Sequence, residues 1–235
     1  MHAFLGEFIG TALLIILGDG VVANVVLDKT KGNNGGLIAI TFGWAIAVFT
    51  GVFVASHFSK AHLNPAVTIA MAYIGNGFTW ADVPQYIGGQ MAGAMVGALL
   101  VWLTYKLHFN QTKDADAKLA VFCTAPAIRS TPNNLIAEIV GTFVLVFAAL
   151  YIASPGSSLG ALDALPVGLL VLGIGLSLGG PTGYAINPAR DLGPRIMHFF
   201  LPIPGKRDSD WSYAWIPVVG PIMGGLIAAI AFKLI

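Results

Sequence analysis

Charge is scarce in this chain. Lys, Arg, Asp and Glu make up 10% of its 235 residues, against about 25% in a soluble domain. Polar groups are too few to cover the surface of a soluble protein this size, which excludes an ordinary soluble enzyme. Net charge is also small: a balance of +1 leaves no broad basic face, so nucleic acid is not an expected partner. A single cysteine, Cys123, excludes an internal disulfide and any multi-thiolate metal site. No cleavable signal pattern opens the chain, and hydrophobic sequence from Ala3 onward reads as mature protein. No His/Asp/Glu cluster has metal-ligand spacing, and no nucleophile stands beside a base. The expectation is a protein that is not an enzyme, with no cofactor and no metal.

What the chain has is apolar length. Hydrophobic residues make up 56%, and a hydrocarbon core about 30 Å thick is crossed by roughly 20 of them in a helix. Six stretches qualify: about Ala3–Leu27, Gly36–Ala55, Val83–Lys106, Asn133–Ala153, Leu162–Gly179 and Tyr213–Ile235. All are expected to be helices, because isolated strands in lipid leave backbone groups unpaired. Two further segments, AHLNPAVTIAMAYIG (61–75) and AINPARDLGPRIMHFF (185–200), hold helices too short to cross. Each carries Asn-Pro-Ala. Asparagine favours the N-cap and proline the first helical position, so Asn64 and Asn187 should each start a half-length helix. The longest connection, 108–130, holds Lys113, Asp114, Asp116 and Lys118, and Thr131-Pro132 reads as the cap and first position of the fourth span.

The halves repeat. GEFIGTALLI (6–15) matches AEIVGTFVLV (137–146), pairing Glu7 with Glu138, and HLNPAVT (62–68) matches AINPARD (185–191). Each half has three spans and one half-span. Three is odd, so the second half enters from the opposite side, an arrangement that builds a pore with its site at the midplane. The expected fold is an all-α membrane protein with six transmembrane helices and two re-entrant half-helices as an inverted repeat. It is one transmembrane domain over residues 1–235, with repeats at about 1–107 and 131–235 linked by loop 108–130.

Two NPA boxes, AHLNPAVTIA and GYAINPARDLGPR, resemble the major intrinsic proteins, the aquaporin family, across essentially the whole chain. Asp191 after NPAR, with Gly175, resembles the glycerol-facilitator branch. The resemblance implies a right-handed bundle, a homotetramer with one pore per subunit, and both termini in the cytoplasm. It also implies a narrowest point formed by Phe42, Gly175, Tyr184 and Arg190, where glycine replaces the bulkier side chain of strict water channels. Glu7 and Glu138 take the role of acceptors for the re-entrant backbone, with a proton relay as the rival role, and Asp191 braces the loop.

The chemistry of these residues suits a neutral-solute pore. Two half-helix N-termini meeting at Asn64-Pro65-Ala66 and Asn187-Pro188-Ala189 each present about half a positive charge and unpaired N–H groups. The Asn amides donate to a passing oxygen. Together with Arg190 they repel cations and protons, the known device of aquaporin-type pores. The extended residues before each Asn offer two carbonyl ladders, from Lys60, Ala61, His62 and Leu63 and from Gly183, Tyr184, Ala185 and Ile186. These are tolerable in lipid only beside a water-filled cavity.

The expected function is passive conduction of glycerol, water and other small neutral solutes (urea, dihydroxyacetone or undissociated small acids among them). A mainly water-selective pore is the alternative within the family, and an ion-coupled secondary transporter the alternative outside it. The expected setting is a bacterial plasma membrane. Three features sit apart. Lys60 stands where glycine is usual, and His57 beside it suggests pH dependence. Lys29, Lys31, Lys113, Lys118, Lys206 and Arg207 fall on the outer side of the family orientation, against the positive-inside rule. Gly89, Gly93 and Gly97 mark a close helix contact, within or between subunits. Asp19 is expected near the outer mouth, Cys123 as a free thiol in the long loop, and His108 and His198 at the interface.

Overall fold

A computed structural model describes residues 2–152, 158 and 160–235. Among these, helices are α1 (His2–Val26), α2 (Gly36–Ala55), α3 (Pro65–Ile74), α4 (Val83–Gln111), α5 (Ala115–Ala120), α6 (Thr131–Ile152), α7 (Ala164–Leu178, after a 3₁₀ turn Gly160–Asp163), α8 (Pro188–Phe200) and α9 (Ile216–Leu234). Six segments, α1, α2, α4, α6, α7 with its leading turn, and α9, are long and apolar enough to cross a membrane. The protein is an all-helical membrane protein. The expected end of the fourth span, Ala153, lies outside the described residues.

Boundaries shift where polar residues still favour helix. α4 runs past Lys106 to Gln111, and Thr112 closes it by donating its hydroxyl to the His108 carbonyl at 2.8 Å. Ser130, one residue before the expected cap, precedes α6; Thr131 is already helical. The sixth span starts at Ile216, because Tyr213 and Ala214 are held in a turn by bonds back to Asp210 and Trp211.

The packing repeats between halves. α1 packs on α4 as α6 packs on α9, and α1 on α2 as α6 on α7. The half-helices cross over: α3 lies on α9 and α8 lies on α4. The glycine stripe explains the closest pair. A Cβ on Gly89, Gly93 or Gly97 would stand 2.5, 2.3 or 2.8 Å from the carbonyl oxygen of Phe4, Phe8 or Ala12 on α1. That contact is within the chain. Gly220 and Gly224 do the same for α9, at 2.7 Å from Glu138 Cβ and 2.3 Å from the Ile139 oxygen on α6. Without side chains at these places the backbones approach closely, which is how helices associate in lipid.

The long loop is not a loose strap. Asp114 caps α5, accepting from the Asp116 and Ala117 N–H groups at 2.8 and 3.1 Å. Leu119, Val121, Phe122 and Cys123 are then buried in the core. Cys123 is a free thiol, as expected, but it is enclosed. Burial pushes that thiol up, away from the reactive thiolate. His198 is likewise buried, not interfacial, with Nδ1 2.8 Å from Ser209 Oγ. The α8 C-terminus folds back under loop 201–210, which encloses the ring. Several cations on the long-loop side are tied to neighbours. Lys206 donates to the carbonyls of His198, Phe199 and Leu201 at the end of α8. Arg207 pairs with Asp116, and Arg129 with Asp210. These three cations cap and brace loops.

Candidate functional site: a pore between two half-helix ends

The site begins with two asparagines. Asn64 and Asn187 are extended, at φ −155° and −156°, each just before a proline that opens its half-helix. Each Oδ1 caps its own helix: Asn64 accepts from Ala66 N at 2.9 Å, and Asn187 accepts from Ala189 N at 3.0 Å and Arg190 N at 3.2 Å. Each Nδ2 then reaches across the pseudo-symmetry. Asn64 Nδ2 donates to the Ile186 carbonyl, and Asn187 Nδ2 to the Leu63 carbonyl, both at 2.8 Å. The two half-helix ends are therefore clasped together. An amide nitrogen carries two N–H donors, so one on each remains beyond the clasp. Capping uses the amide oxygen and leaves that N–H uncommitted, so the cap and a contact to solute are compatible, as the sequence allows.

The approach segments are strained alike. Ala61 and Leu63 have φ 51° and 49°, and Tyr184 and Ile186 have φ 41° and 44°. Non-glycine residues held there cost on the order of 1–3 kcal/mol each unless surroundings fix them. Two buried carboxylates fix them. Glu7 accepts from Ser59 Oγ at 2.7 Å, His62 N at 3.0 Å, Leu63 N at 2.7 Å and Gln90 Nε2 at 2.7 Å. Glu138 accepts from Thr182 Oγ1 at 2.7 Å, Ala185 N at 3.0 Å and Ile186 N at 2.8 Å. Asp191 accepts from Thr124 N and Oγ1, both at 2.7 Å, and from Arg195 Nε at 2.9 Å and Nη2 at 2.7 Å. It ties the long loop to α8. Arg195 was not singled out from sequence; its place four residues after Asp191 on a helix was the available signal.

A cavity of about 490 Å³ runs beside the clasp. Its lining includes Lys60 and Asn76 towards the face that carries the termini, Asn64 and Asn187, and then Trp44, Tyr184 and Arg190. The ladder residues Lys60, Ala61, His62, Leu63, Tyr184, Ala185 and Ile186 all line it; Gly183 does not. The last rungs, Leu63 and Ile186, already accept the asparagine amides.

Phe42, expected at the narrowest point, lies away from it. It is 51% exposed on the outside of α2 and does not line the cavity, whereas Trp44 is 4% exposed and does. Two residues along a helix rotate a side chain by about 200°, so a two-residue misalignment puts the aromatic on the outer face of α2, away from the cavity. The Arg190 guanidinium lies over the Trp44 ring, 4.1 Å from its centre. The signal existed: Thr41, Trp44, Ala47, Gly51 and Ala55 recur at helical spacing and are all buried. Gly175 is not itself in the lining. A Cβ there would stand 2.7 Å from Thr41 Cγ2 and 2.9 Å from Tyr184 Cζ. The absent side chain lets the tyrosine ring settle back against α7. The Tyr184 hydroxyl and Arg190 Nη1 have no hydrogen-bond partner among the described residues.

The residues expected to tune pH response separate. Lys60 is in the lining, and its ammonium donates to the Gly77 carbonyl at 2.7 Å. It is not among the positive-φ residues, which is why it can replace a glycine there. His57 is exposed in the turn after α2, packs edge-on against Phe53, and stands outside the lining. Wild-type and His57→Ala channels should therefore give superimposable glycerol permeability between about pH 5 and 8. Stopped-flow light scattering on proteoliposomes checks this, and a pH step present only in the wild type would make the histidine responsible for pH dependence.

Comparison with known proteins adds four findings. Residues 1–232 match the family model described as major intrinsic protein. The chain is 60% identical over 229 residues to a probable glycerol uptake facilitator protein of Thermotoga maritima, covering 97% of each. It is 57% identical over 234 residues to the glycerol uptake facilitator protein of Streptococcus pneumoniae, covering 100% of this chain and 99% of that one. The X-ray structure of the aquaglyceroporin from Plasmodium falciparum superposes with a TM-score of 0.88 at 32% identity, over 99% of this chain and 95% of that one.

Proposed function

The chain belongs to the major intrinsic protein family, and from that premise we propose that it is a passive glycerol channel whose solutes pass between Trp44, Tyr184 and Arg190 and then beside the Asn64–Asn187 clasp. The observation that supports this reading is a cavity lined by both kinds of residue: the ladder residues Lys60, Ala61, His62, Tyr184 and Ala185 and the two asparagines share it with Leu14, Val48, Val52, Leu145 and Val171. In the proposed conduit the carbonyls of the extended segments and the free amide N–H groups serve the polar edge of the solute. A polyol has hydroxyls along one edge and C–H groups along the other, and it fits such a conduit in a single orientation. An ion finds only part of a solvation shell and loses the rest, which is costly in an apolar setting.

Water accompanies glycerol, and small neutral molecules such as urea, dihydroxyacetone and undissociated acids fall in the same class. Transport is downhill, with no covalent step. Trp44 and Tyr184 supply the carbon-binding corner, and Arg190 supplies donors. Gly175 favours the glycerol reading over a mainly water-selective pore, because the tyrosine ring recesses where a larger residue would push it inward. Glu7 and Glu138, buried with both oxygens of each accepting hydrogen bonds, favour a scaffold role over a proton relay, and so a channel over a coupled carrier. The assembly this family suggests is a homotetramer with a pore in each subunit, in a bacterial plasma membrane with both termini in the cytoplasm.

Proteoliposomes under an inward glycerol gradient test the reading. Expected is a glycerol permeability far above that of empty vesicles, linear in gradient and indifferent to sodium or proton gradients. Saturation or dependence on an ion gradient would replace the channel by a carrier, and fast water with slow glycerol would replace it by a water pore.

A further inference from the structure

Four carboxylates lie fully buried in or beside the pore wall: Glu7, Glu138, Asp191 and Asp19. The first three accept three or four hydrogen bonds each, with both oxygens engaged. Asp19 differs. It sits on α1 at 0% exposure, and neither of its carboxylate oxygens has a hydrogen-bond donor among the described residues. Its nearest opposite charge is Arg190, with Nη1 3.7 Å from Oδ1. That distance is too long for a hydrogen bond and short for two charges in a setting of low polarity. Asp19 therefore braces no backbone and caps no helix. The same turn of α1 supplies Gly18, where an added Cβ would stand 2.3 Å from the Trp44 ring. So α1 seats the tryptophan with one residue and faces the arginine with the next.

The charge balance of the pore explains what such a residue is for. Two half-helix N-termini contribute roughly half a positive charge each, and Arg190 adds a full one. A conduit lined only by these repels cations and attracts anions. We propose that Asp19 is the buried counter-charge of the pore arginine. It offsets the anion-attracting field at the constriction, so that the channel rejects ions of both signs while the guanidinium N–H groups stay available to neutral solutes. This rests on the channel reading above and assigns the anion barrier of that site to a residue on α1. Asp19 is a positioning and specificity residue; it does not itself line the cavity.

Planar bilayers with a potassium nitrate gradient, paired with glycerol flux on the same preparations, test the assignment. For Asp19→Asn, and for Asp19→Ser as a second neutral variant, the ratio of nitrate conductance to glycerol permeability is expected to rise about tenfold or more, with the reversal potential moving towards that of nitrate. Asp19→Glu, which keeps the charge, should stay near the wild-type ratio. The partner supplies an independent arm. Arg190→Gln leaves Asp19 uncompensated and should leak potassium, and adding Asp19→Asn to it should remove that cation preference. The proposal is overturned if the neutral variants keep the wild-type ratio, or if Arg190→Gln shows the same ion selectivity with and without Asp19. Using a ratio makes loss of inserted protein cancel. Wild-type glycerol flux separately decides whether the pore is a glycerol channel at all.

Discussion

Glu138→Ala is expected to cut glycerol permeability by about tenfold or more and to lower the thermal stability of the detergent-solubilised protein, because three buried donors lose their acceptor together. Those donors are the Thr182 hydroxyl and the N–H groups of Ala185 and Ile186. A buried donor left unpaired costs about 1–3 kcal/mol. Here the loss falls on a segment that already holds Tyr184 and Ile186 at positive φ. The Ile186 carbonyl is also one side of the asparagine clasp, so a relaxed segment loosens the half-helix junction as well as the constriction. Glu138→Gln keeps the shape and one carbonyl acceptor, and it should fall between wild type and alanine. Vesicle shrinkage under a glycerol gradient and a melting curve read both effects. An alanine variant with undiminished flux would mean that the re-entrant segment holds its own conformation.

Gly175→His should reduce glycerol permeability by about an order of magnitude more than water permeability, since even its first carbon overlaps the pore tyrosine. The overlap involves the Tyr184 ring and Thr41, at 2.9 and 2.7 Å from the added Cβ. α2 behind Thr41 is packed against α7, so the tyrosine is the group free to give way, and its open side is the cavity. A water molecule still passes a ring displaced by an ångström or two; a carbon chain does not. Gly175→Ala should show a smaller shift in the same direction. Measuring water and glycerol flux on the same vesicles separates narrowing from loss of protein. Equal loss of the two would remove Gly175 as the residue that sets the width.

Much of the architecture was readable from local pattern. Hydropathy located six spans, and Asn-Pro-Ala located two half-helix starts at the residues where they occur. Paired Glu7 and Glu138 stand at matching places because both halves meet the same need, a carboxylate behind a strained approach segment. The site was less readable. Arg190 and Tyr184 come from the family resemblance, whose alignment is anchored there by Asn187 in the same segment. Phe42 did not, because its placement required aligning a helix that is apolar on every side. On such a helix hydropathy has no period, and the inner face is marked by burial of Thr41, Trp44, Ala45, Ala47, Gly51 and Ala55. His198 and Cys123 looked superficial because each lies in or beside a polar connection. Both are enclosed by loops that fold back through contacts such as Thr124 to Asp191.

The amino-acid order by itself determined how many times the chain enters the bilayer, where the two stubs begin, and which residues recur between the halves. Those properties depend on stretches of a few to some twenty neighbours, where transfer into lipid and helix capping act locally. The tertiary structure alone decided that Trp44 and not Phe42 faces the arginine, that each asparagine grips the opposite half, and that Asp19 stands opposite Arg190. Those depend on the rotation and contact of segments more than a hundred residues apart. No periodicity within either segment encodes them; close packing of both against shared neighbours does.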